Sequence, residues 1–510
     1  MSLKKRNAIF SCCINDVWIE VARELNKTHQ LYPSYFVGWR NDFECEKFVK
    51  EFSESHGHYV EDAWRGEGFP KLAPEILDEV QLKLIADEVL IGLKMMDRLD
   101  PTFDAFPFTE RYYWFVGLIE QWLAVIKSYN IEIVISPSIP HRVFDYALYL
   151  AAKLRNLEIV MFQMTPFADN SFIIDDVNGT CGYMKAHLSE LGDVDSTDCP
   201  SEVRDRIELI KGGYDKGQPD YMVDHRRSKE LRSTLWYRFV RTVEKIVKVR
   251  KVFEKSASYR RKKGYRPCEP LNNLQQQILL SKSIRYKNHL RSIYHLHQYK
   301  GELKRPYVLV ALHYQPEETT CPTGGAYSEQ RQIVKLLNSL LPENFIIAVK
   351  EHYSQFLDSQ EGEAGRTPHY YSDLASISKR VKLISTDADP FVLIDNAEAV
   401  ITVSGTIGWE AVVRGKQSLV FGRAWYEDMP GTHKVKSKKD VQAALDIILS
   451  SSSPSNMEQL DAYHKKLSKF FIKAGHYKSF REKGLSSVEE SVINICDGIA
   501  SHLRRNGFFK

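Results

Sequence analysis

The chain has 510 residues, 43% hydrophobic and 27% charged, which excludes a disordered or collagen-like polypeptide and leaves room for roughly two to four domains. Lys plus Arg number 70 and Asp plus Glu 66, a net charge of +4, too balanced for a nucleic-acid coat protein. The balance is uneven: residues 221–263 hold 15 basic and 4 acidic side chains, a net of +11 that leaves −7 for the remainder.

In chain order, an apolar run at 7–13, a helical pattern at 17–25 and an apolar-aromatic run at 35–39 predict strand, helix, strand, the start of a parallel sheet with crossovers. Helical periodicity follows at 82–96 and 113–128, then a strand at 131–136, a helix at 143–154 and a strand at 158–163. Strand signals vanish over 200–300. Leu235, Trp236, Phe239, Val240, Val243, Ile246 and Val247 form an apolar stripe, with the basic residues mostly off it, as in an amphipathic helix. From 306 the alternation resumes, with strands at 307–312, 345–350, 382–385, 399–403 and 418–422 and helices at 329–341, 389–396 and 408–414. Near-continuous apolar strands indicate a sheet covered on both faces. The tail at 457–505 reads as two or more helices.

The expected architecture is α/β, two Rossmann-like doubly wound domains facing a cleft: 1–195, a helical basic connecting region at 196–304, a second domain at 305–450, and a helical tail at 451–510. No apolar run reaches the ~18 residues a membrane span needs, and the N-terminal run is too short for a secretory signal. Eight scattered cysteines without a CxxC pair read as reduced thiols of a cytosolic protein.

The chemistry-bearing positions follow strand ends of the second sheet. Residues 403–410, Val-Ser-Gly-Thr-Ile-Gly-Trp-Glu, place a Gly-containing turn at a helix start, where backbone N–H groups suit a phosphate. Glu410, one turn in, is placed to accept from ribose hydroxyls. An ordinary βα turn capped by Ser404 or Thr406 has the same pattern. Lys350-Glu351-His352 ends another strand, with two groups able to offset a leaving group's charge. His313-Tyr-Gln-Pro-Glu317 ends a third and runs into a long loop. Asp387-Ala-Asp389 is a DxD string, but it precedes Pro390 and a helix and reads as a cap. There is no Walker loop, no G-x-S-x-G elbow and no kinase signature.

Residues 312–317 (LHYQPE), 350–352 (KEH), 404–416 (SGTIGWEAVVRGK) and 420–422 (VFG), in this order, resemble the bacterial capsular polysaccharide biosynthesis family, which includes the Kdo transferases of capsule assembly. Residues 139–145 (IPHRVFD) look like that family's first-domain segment, and Tyr353 stands where the family pattern has proline. The resemblance implies a GT-B glycosyltransferase working on surface polysaccharide in the cytoplasm, with a nucleotide sugar, CMP- or UDP-linked, on the second domain and a glycan or lipid-linked acceptor on the first. It implies no metal or other cofactor. The donor-side candidates are His313, Gln315, Glu317, Lys350, His352, Ser404, Gly405, Thr406 and Glu410. Inverting transfer needs a base on the acceptor hydroxyl, and the first-domain candidates are Asp16, His141 and Asp145. The basic segment at 221–263 has three readings: a solvated helix, a contact with anionic lipid at the inner face of the membrane, or a contact with a polyanionic glycan. No nucleic-acid partner is expected. Two alternatives remain, a two-Rossmann nucleotide-sugar epimerase and a non-catalytic assembly subunit.

Overall fold

The computed structural model describes residues 5–40, 44–100, 107–189, 199–218, 223, 272–303, 306–358, 360–450 and 457–509. The basic segment 221–263 and its apolar stripe fall, except for Val223, outside these described residues.

Two sheets carry the molecule. The first contains β1 (Arg6–Ser11), β2 (Leu31–Gly38), β3 (His56–Tyr59), β4 (Ile131–Ser136), β5 (Glu158–Met164) and β6 (Asn170–Ile174). The second contains β7 (Tyr307–Ala311), β8 (Ile346–Lys350), β9 (Val381–Ile384), β10 (Ala399–Thr402), β11 (Gln417–Val420) and β12 (Thr432–Lys434). A last short strand, β13 (Ile472–Lys473), returns to the first sheet. The orders are β13-β6-β5-β4-β1-β2-β3 and β12-β11-β10-β7-β8-β9. Each sheet starts at an inner strand, builds outward to one side, then reverses and builds to the other. This is the doubly wound pattern, whose ligand crevice lies at the carboxyl ends of the two strands flanking the reversal. Those strands are β1 and β4 in one sheet and β7 and β10 in the other. All neighbours are parallel except β5–β6 and β6–β13.

Local chemistry explains the elements. Asn15 caps helix Asp16–His29 by accepting from Val17 N at 3.1 Å. That helix buries Val17, Trp18, Val21, Ala22 and Leu25, one stripe at helical spacing. Pro33 sits inside β2 and lacks an N–H, so the β1–β2 register slips there, pairing Ala8 with Pro33 and then Ile9 with Tyr35.

The tail belongs structurally to the first sheet. β13 pairs antiparallel with β6, Trp18 Nε1 donates to His476 O at 2.8 Å, and helix Val488–Arg505 buries Ile495, Ile499 and Leu503 beside helix Asp16–His29. Between the domains lies an aromatic seam, with Phe167 edge-on to Trp409 and Trp425 at 5.5 Å each and Trp409 Nε1 donating to His464 Nε2 of the tail at 3.0 Å. Helix Asn273–His297 contributes Leu290 and Tyr294 to the second domain's core. Among the described residues no helix is long and apolar enough to cross a membrane.

Because the tail completes the first core, Ile499→Ala, which deletes a fully buried side chain, is expected to destabilise the protein by about 2–5 kcal/mol. The measurement is the urea midpoint of the full chain followed by tryptophan fluorescence, and an unchanged midpoint would show the tail to be merely apposed.

Candidate functional site

A cavity of about 240 Å³ opens at the reversal point of the second sheet. His313, Glu317, Lys350, His352, Gly405, Thr406 and Glu410 all line it. Each is placed by the end of a strand or the start of the following helix. Lys350, last in β8, donates from Nζ to Thr386 O at 3.0 Å, bridging to the loop after β9. The His352 ring lines the cavity, its Nδ1 accepting from Ser354 N at 3.2 Å. This cap starts the 3-10 turn Tyr353–Phe356, and it fixes the ring with an acceptor at Nδ1, so the neutral imidazole carries its proton on Nε2.

The turn after β10 is occupied by protein. The N–H groups of Val403, Ser404 and Gly405 all point at His313 Nε2, at 3.2, 3.3 and 3.2 Å, and the Thr402 hydroxyl donates to the same nitrogen at 2.7 Å. His313 is therefore a neutral acceptor. Burial, then the Arg366 charge, hold its pKa down to about 3. Gly405 serves this contact, because a Cβ there would stand 2.6 Å from His313 Cε1. The sequence offers the N–H groups of this Gly-containing turn to a phosphate, whereas here the imidazole takes them. Ser404 is turned away from the cavity, donating to Thr319 O at 2.7 Å. A ligand anion is left with the first helical residues, from Thr406 onward, together with Lys350 and His352. Asp389 caps helix Pro390–Asp395, accepting from Phe391 N at 2.7 Å, while Asp387 lines the cavity.

Glu410 lies one turn into helix Thr406–Val413, buried and hydrogen-bonded to the Thr406 side chain. Burial raises its pKa to about 7, against the opposing charges of Arg206 and Arg414. It is thus poised to change charge near neutrality.

Beneath the cavity is a buried ion pair. Arg366 Nε and its η2 nitrogen donate to the two oxygens of Glu351 at 2.9 and 3.1 Å, and both side chains are 0% exposed. The Tyr371 hydroxyl donates to Glu351 at 2.7 Å. Arg366 also donates to His313 O at 2.9 Å and to Gln315 Oε1 at 2.5 Å. Gln315 is consumed here: its side chain donates to Ser328 O at 2.8 Å, and it does not line the main cavity. Arg366 carries no pattern in the sequence and was missed there.

The first-domain candidates scatter. Asp16 lies at the surface, 57% exposed, in a two-pronged pair with Arg481 at 3.0 and 2.9 Å. That hydrogen bonding holds its carboxyl below the usual range. Asp145 is buried, accepting from Arg142 N at 2.6 Å and standing 3.5 Å from the Arg142 guanidinium, and burial lifts its pKa to about 6. His141 faces the second domain. Its Nδ1 donates to Ile139 O at 2.7 Å and stands 3.5 Å from Glu318 Oε2, and burial pushes its pKa well down. Glu318, unremarked in the sequence, has its pKa raised to about 7 by burial and by adjacent Glu317. Glu317 lines both the large cavity and a narrower pocket shared with His141. Arg98 ties the two lips, donating to His141 O at 3.0 Å and Pro316 O at 2.8 Å.

Residues 236–460 match the model of the family described as capsule polysaccharide biosynthesis protein. No curated protein sequence matches the chain. Among solved structures, a UDP-GlcNAc 2-epimerase from Methanocaldococcus jannaschii is 11% identical, covering 91% of this chain and 98% of its own, with a TM-score of 0.26. The beta Kdo 2,7 transferase of Thermosulfurimonas dismutans KpsC is 11% identical, over 80% and 96%, with a TM-score of 0.28. The beta Kdo 2,4 transferase of the same protein is 13% identical, over 66% and 79%, with a TM-score of 0.27.

Removing one partner of a buried pair strands the other's charge, so Arg366→Met and Glu351→Gln are each expected to cost about 3–5 kcal/mol, and the double variant clearly less than their sum. A double-mutant cycle from urea denaturation reads this, and additive losses would show that the pair does not act as a unit. Glu410 adds a pH signature. Its pKa is raised on folding, so its contribution is fully present below about pH 4.5 and is lost as pH rises through about 7. Melting temperature is expected to fall less between pH 5 and 8 in Glu410→Gln than in wild type, and parallel profiles would remove this assignment.

Proposed function

We propose that this chain, whose residues 236–460 match the capsule polysaccharide biosynthesis family, is a glycosyltransferase that moves a sugar from a nucleotide-sugar donor to a surface-polysaccharide acceptor. The supporting observation is the cavity at the second sheet's reversal point, which gathers Lys350, His352, Thr406 and Glu410 on one wall system. Such a crevice at strand carboxyl ends suits a nucleotide. In this reading the donor phosphate sits at the helix start near Thr406, with Lys350 and His352 stabilising the charge that grows on it as the glycosidic bond breaks. The ribose hydroxyls donate to Glu410. The sugar extends toward Glu317, the point where the donor cavity meets the pocket carrying His141.

The acceptor then enters from the first domain. Of the three base candidates, His141 is the one on the facing lip of the cleft, and with Nδ1–H given to Ile139 O the neutral ring carries its lone pair on Nε2. Asp16 is engaged by Arg481, and Asp145 by Arg142. In this proposal the phosphate charge is offset by Lys350, the Nε2–H of His352 and the helix start at Thr406, with no metal invoked. The working place is the cytoplasm, at the inner face of the membrane, where a lipid-linked acceptor would lie and where the basic segment 221–263 would meet anionic lipid.

A thermal-shift screen with CMP, UDP, GDP and their sugars tests the donor side. A ligand bound only by the folded chain raises the melting temperature, by a few degrees at 100-fold over Kd. The active nucleotide sugar is then incubated with and without capsule oligosaccharide. Nucleotide release that requires the oligosaccharide supports transfer, sugar interconversion without it indicates an epimerase, and no thermal shift with any nucleotide sinks the reading. Because ribose hydroxyls need the ionised Glu410 as acceptor, nucleotide affinity is expected to rise several-fold from pH 6 to pH 8 and to lose that dependence in Glu410→Gln.

A further inference from the structure

The donor cavity is not built by the second domain alone. Tyr214 lines it, and Tyr214 belongs to the connecting region, far upstream of β7. It is held there firmly. Helices Ser201–Lys211 and Tyr214–Gly217 meet at Gly213, whose φ of 116° is open to glycine and hardly to any other residue. Gly217 seats directly on the second domain, since a Cβ there would stand 2.9 Å from the Phe391 ring. Arg414 donates to Ile210 O at 2.5 Å and lies over the Phe391 ring, its guanidinium 4.6 Å from the ring centre. These contacts leave the half-buried Tyr214 ring edge-on to Phe391, centroids 5.3 Å apart at 80°.

The cavity's lining is chemically mixed. Lys350, His352, Asp387 and Thr406 are polar, whereas Tyr214, Ala388, Pro390 and Ile407 supply aromatic or apolar surface. Glu410 shares a helix face with Thr406 and Ile407. If Glu410 holds the ribose and Lys350 and His352 the phosphate, the apolar lining is left for the base. We propose that Tyr214 is the stacking wall of a nucleobase slot, so that the connecting region completes the donor site. This rests on the nucleotide reading above.

The test measures CMP, UMP and GMP binding to the full chain by calorimetry, and ribose 5-phosphate binding by ligand-observed NMR. Removing an aromatic base-stacking partner is expected to weaken nucleotide binding about ten-fold or more. Tyr214→Ala is therefore expected to raise the nucleotide Kd by that factor while leaving ribose 5-phosphate unchanged, and Tyr214→Phe to bind like wild type. Circular dichroism verifies the fold, with Tyr214→Leu standing in if the alanine variant is unfolded. Nucleotide affinity unchanged in the variant, or an equal loss for ribose 5-phosphate, overturns the slot. Wild-type protein that binds none of the three nucleotides overturns the donor reading itself, a result distinct from either.

Discussion

The pairing of Arg366 with Glu351 governs the geometry of everything above it. Two strand ends that are remote in sequence converge on one guanidinium, the segment after β7 through His313 O and Gln315 and the end of β8 through Glu351, and Tyr371 of helix Tyr370–Ser376 joins them by donating to Glu351. A planar five-donor group can hold several acceptors at fixed angles, which an ammonium cannot. Desolvating the two charges is costly, and the cost is offset only while all these hydrogen bonds are made together. The strand ends that carry Lys350, His352 and His313 are thus held by a unit that does not tolerate partial loss.

His313 extends that rigidity sideways. Its backbone carbonyl is tied to Arg366, and its ring nitrogen gathers three N–H groups of the turn after β10. The two strands on either side of the reversal are thereby locked through one residue, and Gly405 is small because the imidazole needs the space. What resembles a phosphate cradle in sequence is thus a fixed internal joint, and the anion-binding capacity moves one step along, to the helix start and to the side chains of Lys350 and His352.

Much of this was legible from the residues. The second sheet's strands are near-unbroken apolar runs, and their placement at 307–312, 345–350, 399–403 and 418–422 matches the fold to within a residue or two. β3, β6, β12 and β13 were not read. His-Gly-His-Tyr is polar and short, and it is a strand because it pairs along β2 at a sheet edge. β6 follows a tight turn and runs antiparallel, against the expected crossover rhythm. Among the site residues, those on strand ends or helix starts were found because their positions follow from periodicity. Arg366 and Glu318 were not, since each lies in a loop and owes its character to burial in the folded chain. Gln315 and Ser404 share the motif positions but face inward, a direction that spacing alone does not encode.

The return of the tail to the first sheet orders events in time. Ser171 on β6 hydrogen-bonds Ile472 on β13 across a separation of 301 residues. At about 5–20 residues per second, a ribosome delivers β13 roughly 15–60 seconds after β6. The second domain, whose strands all lie between, is fully synthesised before the first can close its sheet edge and cover Trp18. The domain that begins first is the one completed last. Its open edge and uncovered apolar helix face are what a chaperone would meet on the nascent chain.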